Sequence, residues 1–354
     1  MNKKAIIAMS GGVDSSVAAF LMKEKGFECI GTTMKLHGDD EVSINTEQSC
    51  CSSEDIKDAR AVADRLDMAY YVLDFKDEFK SKVIDKFIAT YESGGTPNPC
   101  IDCNRHLKFK KLFEHMSELS FDYVVTGHYA RTEEKDGWFY LKKGLDSRKD
   151  QSYVLYSLSQ EQLSHIIFPL GEYSKKQIRE IAQSQNFINA HKKDSQDICF
   201  VPDGDYASFI ESYTGKKYPK GNFVDVNGNV LGEHSGIIRY TNGQRKGLGV
   251  SFGKPMYVCG KNINDNTVTL CTDSELFTKE ASAKNFNWLI PKPFNEMKCF
   301  ARVRYNMKEQ PATAYFSEDN TVKVIFDEPQ RAVTKGQALV LYDGDTVLGG
   351  GTII

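Results

Sequence analysis

The chain has 354 residues, 40% of them hydrophobic and 26% charged, with a net charge of −3. That is an ordinary globular balance for two or three domains of roughly 100–200 residues each, and no apolar run approaches the ~20 residues of a membrane span. The slightly acidic total argues against non-specific nucleic-acid binding through bulk charge, while leaving local basic patches open.

The N-terminal part alternates short apolar strands with amphipathic helices. Strands are expected at Ala5–Met9, Cys29–Met34, Tyr70–Phe75 and Tyr123–Thr126. Val13, Val17, Phe20 and Leu21 mark one face of a helix from Asp14 to Lys25. A second helix, Ser53–Leu66, opens in acidic residues that suit the N-terminal end of the helix dipole. A third carries Phe79, Val83, Phe87 and Tyr91 at i, i+4 spacing. This βαβ rhythm predicts an open parallel sheet with right-handed crossovers, whose ligands bind beyond the carboxyl ends of the strands. After Tyr206 the Asn-Gly pairs Asn227-Gly228 and Asn242-Gly243 signal hairpins. From Ala281 to Ile354 apolar and polar residues alternate, as in Thr321–Phe326 and Ala338–Tyr342, the pattern of a small all-β barrel. The expected division is an α/β parallel-sheet nucleotide-binding domain (1–205), a small central domain (206–280) and a C-terminal β-barrel (281–354).

Ser10-Gly11-Gly12-Val13-Asp14-Ser15-Ser16 follows the first strand and opens a helix. Paired glycines let backbone turn tightly against a phosphate, and the helix N-terminus aims free N–H groups at the anion. The serines add hydroxyl donors, and Asp14 is placed to hold Mg²⁺ on the phosphates. The chain lacks Gly-x-x-x-x-Gly-Lys-Ser, and no Gly-x-Gly-x-x-Gly follows the first strand. The string instead resembles the loop of enzymes that split ATP between its α and β phosphates. Met34, at the carboxyl end of the second strand, is either an adenine contact or a core residue. Gly127-His128 follows the fourth strand in the same way.

The second motif is Gly94-Gly95-Thr96-Pro97-Asn98-Pro99-Cys100-Ile101-Asp102-Cys103-Asn104. Cys103 precedes a basic helix, RHLKFKKLF, so a thiol at a helix N-terminus with a lowered pKa is expected. Cys100 and Cys103 form a single Cys-x-x-Cys, compatible with a redox pair, half a zinc site or part of an iron–sulfur site. Cys199, within Asp194-Ser195-Gln196-Asp197-Ile198-Cys199-Phe200, is the expected third partner. Cys50 and Cys51 read as structural, and Cys29, Cys259, Cys271 and Cys299 as core residues. Nine cysteines in a chain of this size, with the cytoplasm as default compartment, do not read as a disulfide framework.

The strings AMSGGVDSSVAA, TPNPCIDCNRHLKF, VTGHYAR, KDQSYVLY, DSQDICFVPDGDY, TNGQRKGLG, RVRYN and GQALVLYDGDTVLGGGTI cover nearly the whole chain. On them the sequence resembles the bacterial tRNA-specific 2-thiouridylases. The resemblance implies an adenine nucleotide hydrolase-like domain with ATP at Ala8, Met9, Ser10, Gly11, Gly12, Val13, Asp14 and Ser15, and with Met34 and Gly127 near the adenosine. It implies adenylation of the wobble uridine O2, followed by sulfur transfer. Cys199 would carry sulfur as a persulfide from a sulfur carrier or cysteine desulfurase, and Cys103 would act as the nucleophile. Asn98, Pro99 and Cys100 would touch the target base. His128, Lys149, Asp150, Gln151, Arg304, Tyr305 and Gln337 match tRNA-contacting positions, with the Lys, Glu and Gln tRNAs as substrates. Three thiols at Cys100, Cys103 and Cys199 also leave open a [4Fe–4S] cluster that donates sulfide, or Cys100 as a plain thiol in the base pocket. Two rivals are a small-molecule amide synthetase of the same ATP-splitting group and a non-catalytic iron–sulfur or tRNA-binding protein.

Overall fold

The structure is a computed structural model that describes residues 2–37, 52–194, 198–201, 204–251, 253–293 and 295–354. Cys50-Cys51 and Ser195-Gln196-Asp197 therefore lie outside the described residues. Contacts divide the chain into two compact units. The first is Met1–Ile84, Pro99–Pro202 and Asp345–Leu348; the second is Asp85–Asn98, Asp203–Gly344 and Gly349–Ile354.

The first unit is built on five parallel strands, β1 (Lys4–Ala8), β2 (Glu28–Lys35), β3 (Ala69–Asp74), β4 (Tyr123–Val125) and β7 (Ile166–Ile167). Their order is β3-β2-β1-β4-β7, so the direction of winding reverses between β1 and β4. That switch point is where open α/β sheets take ligands. Strand alternation sends Ala5, Ile7 and Val125 to one face, where they share a core with Val17 and Ala18 of α1 (Val13–Glu24), Val62 and Ala63 of α2 (Ser53–Arg65) and Ile178 of α8 (Lys175–Ser184). Ile6 and Val124 are buried as well, and α6 (Lys110–Glu118) packs against β1 and β4. The expected helix with Phe79, Val83, Phe87 and Tyr91 is present. It runs as α3 (Lys76–Phe79) and a π-helical turn (Lys80–Ile84), followed by α4 (Asp85–Glu92), which is counted with the second unit, and all four residues are buried.

The βαβ reading of this unit needs one correction. β5 (Ala130–Lys135) and β6 (Trp138–Lys143) form an antiparallel hairpin. Asp136 and Gly137 both have positive φ, 53° and 78°, as a two-residue turn matched to strand twist requires. Two short helices, α5 (Pro99–Cys103) and α7 (Gln160–Ser164), complete the unit.

In the second unit α9 (Tyr206–Thr214) precedes a sheet of β8 (Gly221–Val224), β9 (Val230–His234), β10 (Tyr257–Asn262) and β11 (Thr267–Cys271), in the order β10-β11-β8-β9. Asn227-Gly228 lies in the expected hairpin, between β8 and β9. Asn242-Gly243 does not connect paired strands. The Asn242 carbonyl accepts from Arg304 and its amide donates to Val333, so the pair forms a turn tied to distant backbone. The six remaining strands are β12 (Phe277–Trp288), β13 (Glu296–Arg302), β14 (Gln310–Phe316), β15 (Val322–Arg331), β16 (Ala338–Asp343) and β17 (Thr346–Ile353). Their order is β12-β15-β14-β13-β16-β17, and β12 pairs with β17 to close the barrel. Alternation along β15 buries Val322, Val324 and Phe326 inside it. Among the described residues no helix is long and apolar enough to cross a membrane.

Candidate active site

The phosphate loop joins β1 to α1. Gly12 caps the helix with extended backbone and no side chain, so the first-turn N–H groups are not satisfied by a cap. Gly11 has φ +74°, and a Cβ there would lie 2.4 Å from the Asp55 carbonyl oxygen. Hydroxyls then set the loop's shape. Ser15 and Ser16 each donate to the Gly12 carbonyl, at 3.0 and 3.1 Å, and the Ser10 N–H donates to Ser15 Oγ at 3.1 Å. Asn189, which the sequence reading did not single out, is buried behind the loop. Its amide donates to the Gly11 carbonyl at 2.8 Å and to Ser16 Oγ at 2.9 Å. Gly127 also has a steric reason to be glycine: a Cβ would sit 2.8 Å from Ser15 N. Met9 and Met34 are both buried at strand ends, whereas Ser10 is exposed.

Asp14 is not the exposed loop carboxylate that the motif suggests. It lies in the first turn of α1 and accepts from Tyr129 Oη at 2.7 Å and from Lys175 Nζ at 2.7 and 2.8 Å. Burial and the Asp14 charge push the Tyr129 hydroxyl far up, so it stays a donor. Lys175 is shared with Asp194 at 2.8 Å, and Asp194 also holds Lys149 at 2.7 Å and Arg179 at 3.1 Å. Burial alone would raise the Asp194 carboxyl; hydrogen bonds from Lys149 and Lys175 outweigh it and leave the group below its ordinary value. Lys175 thus joins the phosphate-loop carboxylate to the carboxylate that opens the Cys199 segment. One local signal bears on it. Ser174 and Gln177 form a capping box that starts α8 and puts Lys175 in the first turn.

The thiols are arranged differently from expectation. The helix carrying Cys103 begins at Pro99, the position where a fixed φ and a missing N–H cost nothing. It runs on through α5, a π-helical stretch (Asn104–Phe109) and α6. Cys103 therefore lies at the end of the first helical segment and is buried, while the exposed Cys100 occupies the first turn. The dipole acts mainly within that first turn, so it favours Cys100 over Cys103. Cys199 is half-buried, beside Phe200, whose ring meets Phe79 edge-on at 5.5 Å. Cys29, Cys271 and Cys299 are buried, and burial pushes the Cys29 and Cys299 thiols up to about 11 and about 12, as core cysteines require. Among the described residues no three Cys, His, Asp or Glu side chains gather as a metal ion would need.

Three family models match in succession: a tRNA methyl transferase HUP domain over residues 3–203, a tRNA methyl transferase PRC-barrel domain over 207–272 and an aminomethyltransferase β-barrel domain over 278–353. The tRNA-specific 2-thiouridylase MnmA of Clostridioides difficile is 49% identical over 100% of this chain and 98% of its own. That of Carboxydothermus hydrogenoformans is 50% identical over 99% of this chain and 97% of its own. The chain belongs to the tRNA-specific 2-thiouridylase family. Among solved structures, a 4-thiouridine synthetase–RNA complex with bound ATP is 18% identical with a TM-score of 0.35, covering 60% of this chain and 50% of that one; a likeness of that size says nothing about activity.

Residues at the positions that 2-thiouridylases are expected to use for tRNA have internal partners here. His128 is buried between Phe109 and Phe168, with Nδ1 2.8 Å from Thr126 Oγ1. Burial, helped by Lys108, pushes its pKa well down, so the ring is neutral. Asp150 is buried and accepts from the Gly144 and Ser152 N–H groups, both at 3.1 Å. Gln151 exchanges hydrogen bonds with the Tyr129 backbone. Arg148 has 90% of its side chain exposed, with Nε 3.8 Å from Asp146 Oδ1. In the second unit Arg304 donates to the Asn242 carbonyl and to Thr334 Oγ1, and Arg302 stacks over Tyr305 and donates to its carbonyl. Gln337 binds the backbone of Thr96 and Pro97.

Proposed function

We propose that this protein makes 2-thiouridine in tRNA, by adenylating the O2 of the wobble uridine and then replacing that oxygen with sulfur. The observation that carries this reading is that one compact unit holds both the ATP-type phosphate loop and all three motif thiols, Cys100, Cys103 and Cys199. The pyrophosphate of ATP lies on the first-turn N–H groups of α1. Lys175 moves from Asp14 to the phosphates, and Asp14 is the carboxylate that would then hold Mg²⁺, which keeps most of its ligands from phosphate and water. The uridine O2 attacks the α-phosphorus and pyrophosphate leaves.

Sulfur arrives on Cys199 as a persulfide from a carrier or desulfurase. The Cys103 thiolate attacks Cys199 Sγ, forming a Cys103–Cys199 disulfide and releasing hydrosulfide. Hydrosulfide adds to C2, AMP leaves with the oxygen, and an external dithiol reduces the disulfide. Within this reading 1–205 binds ATP and carries the chemistry, 206–280 is a central domain, 281–354 contacts tRNA, the substrates are the Lys, Glu and Gln tRNAs, and the protein works in the cytoplasm.

The family-model names speak of methyl transfer, a reaction with no use for an ATP-splitting loop or a thiol pair. Incubation with ATP, tRNA and a persulfide donor tests all the alternatives together. Pyrophosphate release that depends on tRNA, with 2-thiouridine in the nuclease digest, is expected. Release driven by a small carboxylic acid without tRNA indicates an amide synthetase. A methylated nucleoside, or no pyrophosphate under any condition, removes the proposal.

A further inference from the structure

Residues Asp85–Asn98 belong to the second unit, although the chain before and after them belongs to the first. They end on Gly94-Gly95-Thr96-Pro97-Asn98, which runs directly into Pro99 and Cys100. The backbone of this segment is seated on a single turn of the barrel unit, Thr334–Gln337. The Thr96 N–H donates to the Lys335 carbonyl at 2.8 Å. Gln337 Nε2 donates to the Thr96 carbonyl at 2.9 Å and the Pro97 carbonyl at 3.2 Å. Proline has no N–H, so these two carbonyls carry much of the loop's attachment. Backbone meets backbone here because both sides are glycine-bearing. A Cβ on Gly336, whose φ is +90°, would lie 3.0 Å from the Thr96 oxygen, and one on Gly95 would lie 2.9 Å from Thr90 Cγ2.

The turn is itself braced. Gly336 N–H donates to the Ile353 carbonyl at 2.9 Å, the Ile353 N–H to the Gln337 carbonyl at 2.8 Å, and Arg304 to Thr334 Oγ1 at 2.5 Å. A primary amide has two N–H donors, and both of those on Gln337 are occupied by carbonyls. Its remaining group is an oxygen, which a phosphate would repel.

We infer that Gln337 is a positioning residue, which holds the loop that ends on Asn98 in place through the carbonyls of Thr96 and Pro97. The inference rests on the proposed function for what that segment meets, the target uridine. Arg304 acts one step further out, by holding the turn that presents Gln337. Misplacing a reacting group by about 1 Å can cost 10²-fold in rate, so losing the seat affects turnover rather than tRNA capture.

The decisive variant is Gln337→Glu, which keeps the shape but places a carboxylate oxygen against two carbonyl oxygens. Hydrogen exchange of the 94–98 amides in the tRNA-free protein reads the seat without any activity. Roughly tenfold faster exchange is expected, with a similar fall in thiolation kcat and an unchanged Kd for tRNA and salt slope. Gly336→Ala should give the same exchange result by pushing on Thr96 directly. Faster exchange in a protein that proves not to thiolate tRNA would sustain the seating and reject only the function it serves. Unchanged exchange in both variants overturns the inference, as does an unchanged kcat with a weakened tRNA Kd in Gln337→Glu, the pattern of a direct RNA contact.

Discussion

The phosphate loop at residues 10–16 and the loop at residues 94–103 both turn on paired glycines, yet they are held in different ways. Behind the first stand side chains dedicated to it: Asn189 on the Gly11 carbonyl, Ser15 and Ser16 on Gly12, Lys175 and Tyr129 on Asp14. The second is anchored through its own backbone, by Lys335 and Gln337, up to Pro97, beyond which come a helical first turn and an exposed thiol. A phosphate site binds one unchanging chemical group, so rigidity in advance favours it. A base must be brought out of a tRNA loop to be reached, so a loop held at its stem with its functional end open suits that task.

The sharpest way to separate the two loops is to remove the thiols. Cys103→Ser and Cys199→Ser should each abolish 2-thiouridine formation while ATP binding stays within about twofold, because ligation of ATP belongs to the other loop. Nucleoside mass spectrometry and ATP titration read the two effects, and residual thiolation by either variant would take that cysteine out of the chemistry. Gly11→Ala attacks the opposite side. Its Cβ would overlap Asp55 backbone at a positive φ, a strain on the order of 1–3 kcal/mol. Pyrophosphate release should fall by roughly 5- to 150-fold, whereas hydrogen exchange at 94–98 should not change. Loss of protection at both places would mean the loops are not independent.

The smallest effect concerns pH. Lys261 donates to the Tyr240 carbonyl at 2.9 Å and lies 5.8 Å from the Tyr91 ring, at the base of the second loop. Burial pushes its ammonium down to about 8 from an ordinary 10.5. The folded value is below the unfolded one, so between these limits the unfolded chain binds more protons. The stability contributed by Lys261 is complete above 10.5 and is lost as pH falls through about 8. Stability should therefore rise with pH across that window, by at most about 3 kcal/mol, and Lys261→Met should flatten the rise in denaturant unfolding. An equal slope in both proteins would place the lysine in water.

Much of the fold was legible because burial writes itself into short patterns. β1 to β4 fall within about one residue of their expected limits, the usual uncertainty of element ends, and alternation in β15 marked the barrel, whereas β16 is buried throughout Ala338–Tyr342 and does not alternate. The phosphate loop was legible too, since glycines, serines and a helix start coincide in seven consecutive residues. What escaped was long-range. The capping box at Ser174 announces a helix, but no local signal states that Lys175 reaches Asp14, 161 residues away. Pro99 carried the sign of a helix start, yet the cysteine spacing drew attention to Cys103 instead, and the burial of that thiol depends on tertiary packing. The turn character of Asp136-Gly137 was available in sequence; its place inside an α/β unit was not. Arg304 and Gln337 were recognisable by resemblance, and their hydrogen-bond partners were visible only in the fold.

The central claim, that ATP activates the uridine before sulfur arrives, can be tested by trapping the activated base. Cys199→Ser should still adenylate tRNA but should have no persulfide to complete the exchange. With ATP labelled at the α-phosphate, that variant is expected to leave labelled AMP covalently attached to tRNA, up to one per bound molecule, and to discharge it as free AMP when hydrosulfide is added, with 2-thiouridine appearing in equal amount. Label found on the protein, or pyrophosphate released with no label on the tRNA, would contradict it.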